Sequence, residues 1–130
     1  NIINIDSIEG ATFMVGGVRP YAVAKAAVQF LTRMHAKQLG KYNIRVNSIC
    51  AGAIQTDMRL HVRYDRGDRE RPAELDDPER KAFGPGIGRF VPLGRAAEPS
   101  EIANVALFLA SDLASYVTGA IVMADGGWTA

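Results

Sequence analysis

The chain has only one cysteine, Cys50, so no disulfide can form within it, and a reducing compartment, the cytoplasm, is the expected location. No apolar run reaches the roughly 18 residues that a membrane-spanning helix requires. The first residues also lack a basic stretch leading into an apolar segment with a small-residue cleavage site. Neither sign of charge is in excess: the formal net charge is +1, with acids and bases mixed along the sequence. That balance gives no electrostatic reason to expect nucleic acid or an anionic membrane as partner. His35, His61 and Cys50 have no metal-ligand spacing and read as a surface histidine, a loop histidine and a small buried thiol, so no metal is expected. Internal repeats and low-complexity tracts are absent. An initiator methionine is missing as well, and the sequence enters a strand-like run at once in Asn1-Ile2-Ile3-Asn4-Ile5. A domain seldom begins inside a strand, which leads us to expect part of a longer protein.

What is present is the material of a core. Of 130 residues, 48% are hydrophobic, which fits one domain or part of one. Residues 2–5 form an apolar run bounded by Asp6, Ser7 and Gly10 and read as a buried strand. Residues 10–20 hold three glycines and a proline, the composition of a loop. In residues 21–39 apolar side chains recur at helical spacing, with no internal Gly or Pro and with Gly40 as a stop. Residues 44–49 alternate and are rich in β-branched types, as a strand requires, and Cys50, Ala51, Gly52 and Ala53 close it.

Periodicity then fails until residue 90. Residues 59–81 hold seven Lys/Arg and seven Asp/Glu, the balance of a solvated loop rather than of an RNA-binding surface. The Gly-rich residues 84–88 follow no strand and open no clear helix, so a flexible hinge is a better reading than a phosphate loop. Pro99, Ser100 and Glu101 start a second helix running through Leu109. Residues 111–116 form a helical turn or loop, and residues 120–124 a last strand. Strands alternating with helices imply an α/β fold with a parallel sheet covered on both faces.

Ligands of open α/β sheets bind outside the carboxyl ends of the strands. Ser7 and residues 51–56 lie at such ends, and the loop after Ser7 can return the start of the first helix to the same edge. That helix start carries Tyr21 and Lys25, four residues apart and so on one face. On most helices a Tyr and a Lys so spaced are merely surface neighbours; the company of Ser7 and the strand-end turn gives the pair its meaning. A phenol titrates near 10, too high for a base at neutral pH. A lysine ammonium ~4 Å away stabilises a phenolate by up to ~4 kcal/mol at an effective dielectric of ~20. A strand-end hydroxyl could orient a substrate oxygen beside it.

Asn4-Ile5-Asp6-Ser7, Tyr21-Ala22-Val23-Ala24-Lys25, Ile44-Arg45-Val46-Asn47-Ser48-Ile49, Pro92-Leu93-Gly94-Arg95, Tyr116-Val117-Thr118-Gly119 and Asp125-Gly126-Gly127 together resemble the classical short-chain dehydrogenases/reductases. The resemblance runs the length of the chain apart from the insert. It implies the later, catalytic half of a single Rossmann-like, doubly wound domain. The insert, residues 59–90, is either a substrate lid with short helices of its own or a mobile excursion; its place directly after the strand-end turn favours the lid, with Leu60, Phe83 and Phe90 as its apolar contacts. The resemblance implies an enzyme that moves a hydride between NAD or NADP and a secondary alcohol or ketone. Ser7, Tyr21 and Lys25 then match the catalytic positions. Tyr21, Lys25, Gly52, Ile54 and Thr56 match the cofactor-binding ones, with the Ile54 backbone at the carboxamide. Asp125-Gly126-Gly127 falls where the last strand supports subunit contacts, and a dimer or tetramer is expected.

The sequence departs from the family at two places: Ala51 stands where proline is usual, and Asp6 where a second serine is common. The Gly-rich nucleotide turn, the acidic or basic residue that selects the cofactor and an asparagine of the family's first half are not in this sequence, so the chain as it stands is expected to be inactive. Two other readings compete: a non-catalytic scaffold on the same fold, disfavoured by the intact Ser7, Tyr21 and Lys25, and a lyase or epimerase of the same superfamily, which usually carries a larger C-terminal domain. A serine hydrolase is disfavoured because Asp6-Ser7-Ile8 is not a nucleophile elbow.

Overall fold

The computed structural model describes residues 1–12, 20–56, 58, 83 and 85–130. Three strands form one sheet in the order β1 (Ile2–Ser7), β2 (Val46–Ala51), β3 (Ile121–Ala124). Both pairings are parallel, with Ile2 opposite Val46, Ser7 opposite Ala51, and Ala51 opposite Ala124. Helix α1 (Pro20–Leu39) connects β1 to β2, and α2 (Pro99–Ala110) precedes β3. Parallel strands need such crossovers because consecutive strands cannot be joined by tight turns. The expected α/β order is therefore present.

β2 is the central strand, and every residue from Val46 to Cys50 is buried, as for a parallel strand covered on both faces. On one face Ile49 packs with Leu109 and Ala114, and Ile3, Ile102, Val105, Val122 and Ala124 surround them. The opposite face, under α1, is more polar. The Asn4 amide donates to Thr32 Oγ1 at 2.8 Å, and Thr32 in turn donates to the Val28 carbonyl at 2.8 Å. Polar side chains within β2 are paired as burial demands. Asn47 Nδ2 donates to the Val117 carbonyl at 2.8 Å and its Oδ1 accepts from the Ala120 N–H at 3.0 Å, while Ser48 donates to the Asn4 carbonyl at 3.3 Å.

Several sequence expectations are corrected. β1 extends to Ser7 rather than ending at residue 5, and it is an edge strand, not a buried one, with Ile5 55% exposed. β2 begins at Val46, two residues later than the alternation suggests; the Arg45 carbonyl still accepts from the Ile2 N–H, while its side chain binds the end of α2. α1 begins at Pro20, where the missing N–H and fixed φ suit a first helical position. Pro85–Arg89 forms a 3-10 helix where an irregular hinge is expected. Its Ile87 packs on a second small core of Ala53, Val91 and Ala96, together with Phe83 and Trp128. The insert's Leu60 and His61 lie outside the described residues, as does the charged run; His35 is half-buried rather than fully on the surface.

Candidate active site

Ser7 is the last residue of β1 and caps the 3-10 turn Ile8–Gly10 that follows, its Oγ accepting from the Glu9 N–H at 3.2 Å. This turn is held against α1 by the absence of a side chain at Gly10. A Cβ there would lie 2.6 Å from the Ala26 nitrogen and 2.9 Å from Lys25 Cβ, closer than atoms can approach. The docking seats the end of β1 against α1 one turn after Tyr21. Lys25 reaches across the same junction, and its ammonium donates to the Ile5 carbonyl at 2.9 Å. Its Nζ also lies 5.6 Å from the centroid of the Tyr21 ring. Tyr21 itself is 38% exposed, open to a ligand at the sheet edge. Ser7, Tyr21 and Lys25, spread over 19 positions of sequence, therefore gather at the carboxyl end of β1.

Gly52, Ile54 and Thr56 leave the adjacent carboxyl end of β2. Gly52 donates to the Ala124 carbonyl at 3.0 Å, and a Cβ on it would lie 2.6 Å from Asp125 Cα, so only glycine permits this approach of two backbones. Further on, the Gln55 N–H donates to the Ala97 carbonyl and the Ala97 N–H to the Ala53 carbonyl, both at 2.9 Å. Ile54 forms the bridge with Ala97, and in a parallel bridge of this pattern its own N–H and C=O point the other way. They make no backbone hydrogen bond among the described residues. An outward-turned donor and acceptor on one residue suit a primary carboxamide, so the nicotinamide group fits here. Thr56 is exposed at the end of the turn.

Asp125, Phe90 and Trp128 take structural roles near this edge that the sequence expectations do not assign them. Asp125 organises the segment after β3: its carboxylate accepts from the Gly127 N–H at 2.9 Å, the Thr129 N–H at 2.9 Å and the Thr129 hydroxyl at 2.7 Å. Burial opposes its ionisation, but the Thr129 and Gly127 hydrogen bonds outweigh that and hold the carboxyl below its ordinary range. Aspartate followed by Gly-Gly and a later threonine is a local turn pattern that could have been read in advance. Phe90 and Trp128 stack with centroids 5.6 Å apart, a pairing across 38 positions that no local pattern announces. Phe83, named as an apolar contact of the insert, packs on the second core, to which the Gly52–Thr56 turn contributes Ala53.

Cys50 is fully buried and sits opposite Asp6 in register. Burial first, then the charges of Asp6 and Asp125, push its thiol up to about 12, which makes it inert rather than nucleophilic. Among the described residues no cluster of His, Cys, Asp or Glu could hold a metal ion, and no helix is long and apolar enough to cross a membrane.

A parallel sheet with helices on both faces, a tyrosine and a lysine near a strand-end serine, and a glycine turn at the next strand end define an α/β class with its candidate site at the carboxyl ends of the strands. The model of the family described as enoyl-(acyl carrier protein) reductase matches residues 1–129, and the chain belongs to the short-chain dehydrogenase/reductase family. It is 42% identical over 132 residues to trans-4-hydroxycyclohexanecarboxylate dehydrogenase of Sinomonas cyclohexanicum, covering 100% of this chain and 41% of that protein. With cyclopentanol dehydrogenase of Comamonas sp. it shares 39% identity over 133 residues, covering 99% of this chain and 45% of the other. A solved blue fluorescent protein from a metagenomic library, in complex with NADPH, superposes with a TM-score of 0.76 at 34% identity, over 99% of this chain and 45% of that one. The chain thus spans less than half the length of the relatives it matches.

Proposed function

We propose that the full-length protein is an NAD(P)-dependent oxidoreductase that transfers a hydride between the nicotinamide cofactor and a secondary alcohol or ketone. What supports this reading is Lys25, whose ammonium lies on the Ile5 carbonyl near the end of β1 and 5.6 Å from the centroid of the Tyr21 ring, with Ser7 the last residue of that strand and an Ile54 backbone turned out of its bridge. When bound, the cofactor supplies the hydride acceptor or donor. The chain's own residues handle the proton and the geometry. Ser7 Oγ holds the substrate oxygen, and Tyr21 takes a proton from the alcohol or returns one to the ketone. Lys25, a fixed positive charge beside the ring, favours the phenolate during that transfer. Gly52, Ile54 and Thr56 seat the nicotinamide end, and Tyr21 and Lys25 hold the adjoining ribose.

Support for the substrate class comes from relatives named for cyclic alcohols. We further place the protein in the cytoplasm, as a dimer or tetramer, with residues 59–90 closing over the substrate. The sequence without the nucleotide loop of the family's first half would be inactive. The test uses full-length protein with NAD or NADP and a panel containing cyclopentanol and trans-4-hydroxycyclohexanecarboxylate, followed by absorbance of the reduced nicotinamide. Tyr21→Phe should lower turnover by at least about a hundredfold, while nucleotide still binds through Lys25 and the Gly52–Thr56 turn, weakened only by the one lost hydroxyl contact. Full turnover in that variant would refute the assignment.

A further inference from the structure

Asp6 is 2% exposed, and among the described residues neither of its carboxylate oxygens has a hydrogen-bond partner. A buried carboxylate is retained only when something pairs with it. Its side of the sheet is the face under α1, since its register partner Cys50 accepts from Gln29 Nε2 at 3.8 Å and Asn4 binds Thr32 on the same helix. The neighbouring polar groups on that face are already committed: Thr32 to Val28, Ser48 to Asn4, Gln29 to Cys50. Among the described residues, the remaining charged or titratable groups on the neighbouring elements are Cys50 and Asp125, Glu9 after Ser7, and Tyr21 and Lys25 on α1. Of these only Lys25 is a cation, and its ammonium already sits on the Ile5 carbonyl, the peptide group joining Ile5 to Asp6.

That carbonyl is an outward one. The Ile2 N–H donates to the Arg45 carbonyl, so along β1 residues 2, 4 and 6 address β2 and residues 3, 5 and 7 address the open edge. A further strand pairing along this edge would claim the Ile5 carbonyl for its own ladder. The strand N–H would then compete with Lys25 for that oxygen, and the residue next in the chain carries the unpaired carboxylate.

We propose that Asp6 is a positioning residue for Lys25, receiving the ammonium from the Ile5 carbonyl when the outer edge of β1 is paired. The ion pair fixes the lysine beside Tyr21. Its consequence for turnover rests on the proposed acid/base role of Tyr21 and Lys25; the ion pair itself does not.

Reductive dimethylation of lysines in the full-length protein, read by peptide mass spectrometry at pH 8, tests the pairing with exposed Lys37 as internal standard. Release of the ammonium from a carboxylate should raise the Lys25:Lys37 modification ratio by about fivefold in both Asp6→Asn and Asp6→Ser. Asp6→Asn keeps the side-chain volume, so the comparison survives should Asp6→Ser fail to fold. An unchanged ratio in a folded variant overturns the proposal. A raised ratio in a protein that oxidises neither panel alcohol with either nucleotide would uphold the ion pair and remove the acid/base reading instead.

Discussion

At the scale of single residues, the edge of the sheet separates reactive groups from inert ones by what surrounds them. Tyr21 and Lys25 are at or near the surface, one helical turn apart, with the ammonium close to the ring. Cys50 is one strand away and entirely enclosed. Its thiol, pushed up to about 12 by burial and then by Asp6 and Asp125, stays protonated in the fold across the physiological range. A thiol-specific disulfide reagent at pH 8 should therefore leave Cys50 unmodified in native protein and label it only on unfolding; rapid labelling of folded protein would contradict the burial. The linkage has a sign. A thiol titrating near 9 when unfolded and near 12 when folded leaves its contribution intact below pH 9, and that contribution is lost as pH rises from 9 to 12.

At the scale of elements, the start of α2 is secured by its own Glu101 with Arg95, and its far end by side chains from elsewhere. At the start, the Glu101 carboxylate accepts from the Glu98 N–H at 2.9 Å and pairs with Arg95 at 2.7 Å. The Arg95 hydrogen bond first, and the Glu98 N–H second, bring Glu101 down to about 2. At the far end, helical carbonyls need donors that the helix cannot supply. Arg45 donates to the Leu109 carbonyl at 2.7 Å and the Ser111 carbonyl at 3.1 Å, and Asn1 donates to the Leu109 and Ala110 carbonyls at 3.1 and 3.0 Å. Arg45 thereby ties the entrance of β2 to the helix covering its other face. Arg45→Ala should cost about 1–3 kcal/mol of stability in urea titration. Arg45→Lys should recover only part of it, since one ammonium lacks the guanidinium's planar fork. Wild-type stability in Arg45→Ala would remove this account.

At the scale of the whole molecule, apolar side chains remain in the open on both sides of the sheet. Val23 and Phe30 on α1 are exposed, as are Leu107 on α2 and Leu113 and Tyr116 just after it. Surface of this kind is usually covered by another protein surface, in keeping with a dimer or tetramer. Sedimentation of full-length protein at tens of micromolar should give a mass of at least two chains. The double substitution Leu107→Glu with Leu113→Glu should shift it toward smaller species. A monomeric, fully active wild-type protein would dismiss the oligomer.

The sequence alone determined the alternation of strands and helices, the gathering of strand ends on one edge, and the pairing of Tyr21 with Lys25. Each of these is written in local periodicity or in residues within one helical turn, where spacing fixes which side chains share a face. Spacing also put Ser7 and residues 51–56 at the strand ends, and the family resemblance added the roles expected of them. Tertiary structure alone decided the rest. The backbone alternation that turns the Ile5 carbonyl outward, the enclosure of Asp6 without a partner, the near-contact of Gly52 with Asp125 and the stacking of Phe90 on Trp128 all depend on register. Register is set by contacts between segments tens of residues apart, and slipping a strand by one position would exchange its two faces. Even the limits of β2 followed this principle: Arg45 alternates as a strand residue should, yet it serves a helix end 64 positions away.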